Sequence, residues 1–152
     1  MTWYELWLFL HISGVSIWLG GAVVAHVLGA LAKRSGDPAR TVAFGQDMAL
    51  VGPWVLMPSA LLVLVSGVLL VREGRWDWRE TFVVLGLLGW AVAAFTAFGY
   101  ITRTMSRIGV RMAAEGPSPE LGAQVNRLVL VARIIIVVLF AVVFVMVVKP
   151  GT

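Results

Sequence analysis

The chain contains no cysteine, so disulfide bonds, thiolate metal sites and cysteine nucleophiles are excluded. Charged residues are also scarce, at 13% of the 152 positions, and no aspartate or glutamate lies deep within an apolar segment. We find no glycine-rich nucleotide loop, no spacing of a catalytic triad and no pair of carboxylates in such a segment. The sequence therefore lacks the signatures of common hydrolytic and nucleotide-binding enzymes.

Apolar residues dominate the composition instead. Hydrophobic residues make up 60% of the chain, well above the roughly 45–50% apolar content of soluble domains, and the mean hydropathy is +0.93. They fall in four blocks at about residues 5–31, 49–71, 81–102 and 125–148, each long enough for a helix that crosses the membrane. The sequence predicts an all-α fold, a transmembrane four-helix up-down-up-down bundle that forms a single domain over residues 1–152.

The distribution of charge predicts the orientation of this bundle. A formal charge of +4 would suggest a nucleic-acid partner in a soluble chain, but here the basic residues lie mostly between apolar blocks, where they indicate topology. We expect the lipid bilayer as partner, no nucleic acid, a plasma-membrane location, cytoplasmic first and third loops and both termini outside. The cytoplasmic set is Lys33, Arg34, Arg40, Arg103, Arg107, Arg111 and Arg127, against Arg72, Arg75, Arg79 and Lys149 on the other side.

Both histidines of the chain lie in the first block, which is expected to be retained because Glu5 and the lack of early basic residues do not fit a signal peptide. His11, Gly14, Trp18 and Gly21 recur at intervals of three and four residues, so they share one stripe of a helix. An ionisable side chain inside a membrane is a functional hypothesis by default. A packing seam, in which His11 bonds to a neighbouring helix, is the alternative interpretation.

His26 has to be considered separately from His11. The two lie 15 residues apart, or about 22 Å along a helix axis, so they cannot bind one metal ion within one chain. As ligands they would belong to separate sites or to a site shared between subunits. The alternative is that His26 is hydrogen-bonded within the bundle near the headgroups.

Arg133 is the other anomalous residue, because it opens an unbroken apolar run in the fourth block. Arginine at the centre of a span costs ~2.5–3.5 kcal/mol, so we expect a partner, a bound anion or snorkelling to the headgroups. At 1.5 Å per residue from the cytoplasmic ends of the spans, one layer roughly 8–12 Å into the membrane contains His26, Met57, Thr96 and Arg133. Imidazole, thioether and guanidinium groups at one level are those that would hold haem.

The second block contains Pro53 and Pro58. Proline within a helix removes a backbone donor and clashes with the preceding turn, which predicts a kink here. Proline is also common in transmembrane helices generally, so a structural role is the alternative.

His11, Trp18 and Gly21 also carry a family resemblance. Their spacing resembles the opening of the protoporphyrinogen oxidase HemJ family and of allied families grouped with copper-resistance protein D. Pro58 followed by Ser66-Gly67, and Lys149-Pro150 at the end, look like the uncharacterised branch of that group. The resemblance implies a small membrane protein associated with haem b, with His11 as first candidate axial ligand, and a membrane oxidoreductase of HemJ type. Two departures count against the oxidase activity, namely Ala25-His26-Val27 in place of a Pro-Arg-Leu element and Arg79 in place of a lysine.

Three functional hypotheses follow. The first is a haem-b-associated redox or electron-transfer protein, the second a transporter of a metal ion or small anion, and the third a structural or assembly subunit that packs on a second copy or on a partner membrane subunit. The candidate cofactor-binding residues are His11, His26, Arg133, Trp18 and Met57, and the candidate metal ligands are His11 and His26.

Overall fold

The protein is described by a computed structural model that covers residues 2–150. Four long helices run through this part of the chain: α1 (Trp3–Arg34), α2 (Pro38–Glu73), α3 (Thr81–Glu115) and α4 (Pro119–Val148). Each is long and apolar enough to cross a membrane, and no strand occurs among the described residues. The predicted all-α fold with four membrane-spanning helices is confirmed.

Local sequence explains where the helices begin. Thr2 and Glu5 form a capping box at the start of α1, because each side chain accepts the backbone N–H of the other residue. Asp37 accepts the N–H of Ala39 at the start of α2, and Ser118 caps α4 by accepting the N–H of Leu121. Prolines at the first position of α2 and α4 are compatible with a helix start.

The helices extend beyond the predicted spans at one end of the bundle. There α2 begins at residue 38 rather than 49, α3 ends at residue 115 rather than 102, and α4 begins at residue 119 rather than 125. We call the half of the bundle next to the first and third loops the basic half, and the half next to residues 74–80 the opposite half. The basic half carries eight lysines and arginines against four acidic residues, whereas the opposite half carries four of each.

Two helices contain a wider, π-helical stretch, at Gly52–Leu56 in α2 and at Phe95–Ile101 in α3. In α2 the N–H of Met57 bonds to the carbonyl of Gly52, five residues earlier, and Pro58 follows directly. Its ring would clash with the carbonyl of a regular turn, so widening lets α2 continue through the prolines. In α3 the N–H and hydroxyl of Thr102 both bond to the carbonyl of Ala97.

The core has two parts. The central core surrounds Trp18 and takes residues from all four helices: Trp18, Ala60, Val63, Ala93, Ala94, Ile135 and Leu139. A smaller core in the basic half joins α3 to α4 through Ile108, Leu121 and Leu128. The most extensive packing is that of α1 along residues 57–73 of α2, and α4 packs mainly against residues 81–94 of α3 and against α1.

Candidate ligand site around His11

His11 lies half-buried at the seam between α1 and α2. Its ring Nδ1 is 3.0 Å from the carbonyl oxygen of Val63 and 3.1 Å from the hydroxyl oxygen of Ser66. A carbonyl can only accept, so Nδ1 carries the hydrogen and donates it. The hydroxyl of Ser66 is itself oriented by donation to the carbonyl of Leu62, which leaves its oxygen free to accept from His11.

This hydrogen bond has a consequence for the other ring nitrogen. In neutral imidazole only one nitrogen carries hydrogen, so Nε2 of His11 presents a lone pair. Histidines that bind metal ions almost always donate their second ring N–H to a carbonyl, a carboxylate or water, which fixes tautomer and ring orientation. The tautomer of His11 is therefore compatible with metal binding through Nε2.

Small residues bring α1 and α2 close enough for this contact. A Cβ added at Gly67 would lie 3.1 Å from Cε1 of His11, and one added at Gly14 would lie 3.0 Å from Cγ2 of Val63 and 3.3 Å from the carbonyl oxygen of Ser59. Contacts this short are tighter than ordinary packing, so a larger residue at either position would force its neighbour to shift. The stripe on α1 thus forms a packing seam in which the imidazole reaches a backbone carbonyl of the neighbouring helix.

Trp18 lies two turns after His11 and belongs to the central core. Only 4% of its surface is exposed, and it packs with residues of α2, α3 and α4. Its observed role is to fill the centre of the bundle.

His26, Met57 and Arg133 are not gathered around one cavity. Met57 is 42% exposed and lines an apolar crevice between α2 and α3, which neither His26 nor Arg133 lines. His26 is half-buried, whereas Arg133 lies on the exposed surface of α4 and has no hydrogen bond or ion pair with a described residue. Within residues 2–150, no three side chains of histidine, cysteine, aspartate or glutamate come together as a metal site.

Two polar contacts of this region were missed by sequence reasoning. The carbonyl of Val63 leaves no sequence signal, because every residue supplies one. The indole N–H of Trp90 donates to the carbonyl of Ala60 at 2.9 Å and links α3 to α2. A tryptophan in the middle of an apolar block is the signal that could have suggested such a partner.

Comparison with known proteins adds the family. The model of a family described as predicted integral membrane protein (DUF2269) matches residues 5–150. The chain belongs to this family. It matches no curated protein and no solved structure. The DUF2269 match supports an integral membrane protein in contact with the lipid bilayer, and it does not support the resemblance to HemJ or copper-resistance protein D. For this DUF2269 protein, a chemical role has to be argued from its own residues.

Proposed function

We propose that the protein binds haem b within the membrane, with His11 as an axial ligand, and that it serves in electron transfer. The observation that carries the proposal is the contact of His11 Nδ1 with the carbonyl of Val63, which leaves Nε2 available to a metal. Bound haem would supply one-electron redox chemistry. The chain's own contribution is to fix the tautomer and the orientation of the ligand.

The surroundings of His11 suit an apolar cofactor. Ile12, the next residue on α1, is 56% exposed, so an apolar outward-facing surface adjoins the seam. Among the described residues, His26 is the other histidine, and its distance along α1 excludes it as a second ligand to the same iron. One chain would therefore provide one axial histidine, and His26 and Arg133 would belong to a second site.

An absorption spectrum tests the proposal. The full chain, purified in mild detergent after haem supplementation, should show a Soret band, and His11→Ala should remove it. His26→Ala is the matched control, because it removes the other imidazole of α1. Ser66→Ala should keep the band but shift the midpoint potential, since ligand basicity depends on the second hydrogen bond of the imidazole.

Two results would reject this proposal. One is the absence of a Soret band from folded protein that has been supplied with haem. The other is a band that His11→Ala leaves unchanged. In either case the hydrogen bond of His11 to Val63 would be a purely structural link between α1 and α2.

The transport and assembly hypotheses gain no comparable support. Transport of an ion would use charged groups inside the bundle, whereas Arg133 lies on the exposed surface of α4. An assembly subunit would pack on a partner through faces lined by glycine. Gly14, Gly86 and Gly89 instead face side chains of their own chain, whereas Gly20 and Gly99 have no atom within 4 Å of an added Cβ. Both hypotheses stay predictions.

A further inference from the structure

An apolar crevice of about 220 Å³ lies between α2 and α3. Ala60 and Ala94, both buried, are among its lining residues, together with the exposed side chains of Met57 and Phe95. Trp90 also lines the crevice, and its hydrogen bond to the carbonyl of Ala60 joins the two helices there. The crevice is therefore a defined gap between helices that are tied to each other.

The π-helical stretches border this gap. Phe95 and Gly99 lie in the stretch of α3, and Met57 directly follows the stretch of α2. A Cβ added at Gly99 would meet no atom within 4 Å, so the space beside this glycine is empty of protein. Residues 57–73 of α2 and 81–94 of α3 pack only loosely against each other. The opening thus faces the surroundings of the bundle, which at this depth are lipid.

The size and chemistry of the crevice favour a hydrocarbon chain. Sites for whole small-molecule ligands usually measure ≈300–1,000 Å³, so this crevice takes a chain segment rather than a whole ring system. Its lining residues are apolar and aromatic apart from the indole N–H, which is already used. Atoms that line an unfilled gap lose dispersion contacts, and an acyl chain of the bilayer would restore them.

Arg103 lies about one turn of α3 beyond the crevice, toward the basic half. Arg103 follows Gly99 by four residues, so it lies on the same face of α3, about 6 Å further along the helix axis. It is exposed and forms no ion pair or hydrogen bond with any residue that the structure describes. The half of the bundle around it has eight basic and four acidic residues. This charge is complementary to an anionic headgroup.

We propose that the crevice binds one acyl chain of an anionic phospholipid whose phosphate is held by Arg103. The chain lies against Ala94 and Gly99, and the headgroup sits at the level of Arg103. The site is formed by α2 and α3 and shares no residue with the contacts of His11. Its occupancy is therefore independent of haem binding.

Lipid retention tests this site in the intact protein. The full chain is reconstituted in vesicles of equal parts phosphatidylglycerol and phosphatidylcholine, extracted in mild detergent and examined by native mass spectrometry. We expect retained phosphatidylglycerol in excess of phosphatidylcholine. Arg103→Gln should lower it about fivefold, the change that about 1 kcal/mol per cation near an anionic surface implies. Gly99→Leu should lower it at least as much, because the added side chain fills the crevice.

Matched controls separate the site from general effects. Gly45→Leu adds the same side chain on α2, at a position that also has no atom within 4 Å of an added Cβ, and Arg72→Gln removes an exposed cation from the opposite half. Neither should change retention. The proposal is overturned if Gly99→Leu has no effect in folded protein, if phosphatidylcholine is retained equally well, or if Arg72→Gln lowers retention as much as Arg103→Gln. Because Arg103 is exposed, its substitution leaves the fold intact and keeps the test decisive.

Discussion

The two halves of the bundle differ in how closely their glycines are packed. In the opposite half, glycines lie inside helix seams, where Gly14 faces Val63 and Gly67 faces His11 at about the closest distance that atoms allow. In the basic half, Gly45 and Gly99 have no atom within 4 Å of an added Cβ. Gly29 of the basic half also faces α2, where an added Cβ would lie 3.0 Å from the ring of Phe44, so the basic half contains both close-packed and open glycines.

The difference follows from how helices associate in lipid. Lipid tails are as apolar as leucine, so helices associate through close packing and hydrogen bonds. The opposite half has close packing at Gly14 and Gly67 and also the hydrogen bonds of His11 across the same seam. Two helices widen into π-helical stretches toward the basic half, whereas large exposed side chains occur in both halves, for example Trp54 at 79% and Val147 at 77%. We infer that the His11 seam adds close packing and hydrogen bonds between α1 and α2 that the gap beside the π-helical stretches lacks.

The largest effect is expected where the seam is tightest. Gly14→Leu should lower the free energy of unfolding by about 1–3 kcal/mol, the usual cost of overpacking, because the new side chain meets Val63 and the backbone of Ser59. Unfolding by SDS in mixed micelles would measure it. Gly20→Leu on the same helix is the control, since Gly20 has no atom within 4 Å of an added Cβ. Equal losses in both variants would contradict the contrast between seam and surface.

A smaller effect is expected from the polar link across the same seam. A double-mutant cycle of His11→Ala and Ser66→Ala should give a coupling free energy of about 0.6 kcal/mol, the mean for hydrogen bonds between membrane helices, and at most about 1.7 kcal/mol. The cycle is needed because His11→Ala also removes packing. Coupling near zero would mean that Val63 alone accepts the hydrogen of His11.

Much of the fold was predictable from the sequence, because membrane-spanning segments must be long and apolar. The length of the helices in the basic half was not. The extension at 38–48 mixes polar and apolar residues. The extension at 103–115 is amphipathic rather than uniformly apolar, and its Ile108 packs with Leu121 and Leu128 of α4. Hydropathy detects contact with lipid and cannot detect such packing between amphipathic segments.

The candidate site was predictable only in part, for a similar reason. The spacing of His11, Gly14 and Trp18 indicated a stripe and a seam, and the structure places these residues along α1 where it meets α2. The acceptor of His11 is a backbone carbonyl, which no side-chain pattern reveals. Depth counting could assign Arg133 to a layer of the membrane, but which side of α4 faces the bundle depends on packing around Ile135 and Leu139.

A cation–π contact next to residues 74–80 also links segments of the opposite half, and we expect it to contribute less free energy than the packing around Gly14. Lys149 Nζ lies 4.5 Å from the ring centroid of Trp76 and 5.7 Å from that of Phe82, and the two rings meet edge to face at 5.3 Å. A double-mutant cycle of Lys149→Gln and Trp76→Leu should give a coupling of about 0.5–1 kcal/mol, typical of an exposed cation–π contact. Lys149→Arg should keep most of it. If Lys149→Arg loses as much coupling as Lys149→Gln, a positive charge over the ring is not sufficient for the attraction.

The smallest effect is expected in the basic half, where polar links lie at the surface. Arg111 forms ion pairs of 3.2 Å with Glu115 on its own helix and with Glu120 on α4. Exposed pairs contribute little, since water and salt screen them. Arg111→Gln should therefore change the unfolding midpoint less than any variant above, and about 1 M salt, where the Debye length is ~3 Å, should abolish the difference. His11→Ala should by contrast keep its effect in salt, because its partners lie within the α1–α2 seam. If Arg111→Gln instead destabilises the protein as much as Gly14→Leu does, the third loop contributes to stability as much as the glycine seam, and the two halves do not differ in the way proposed.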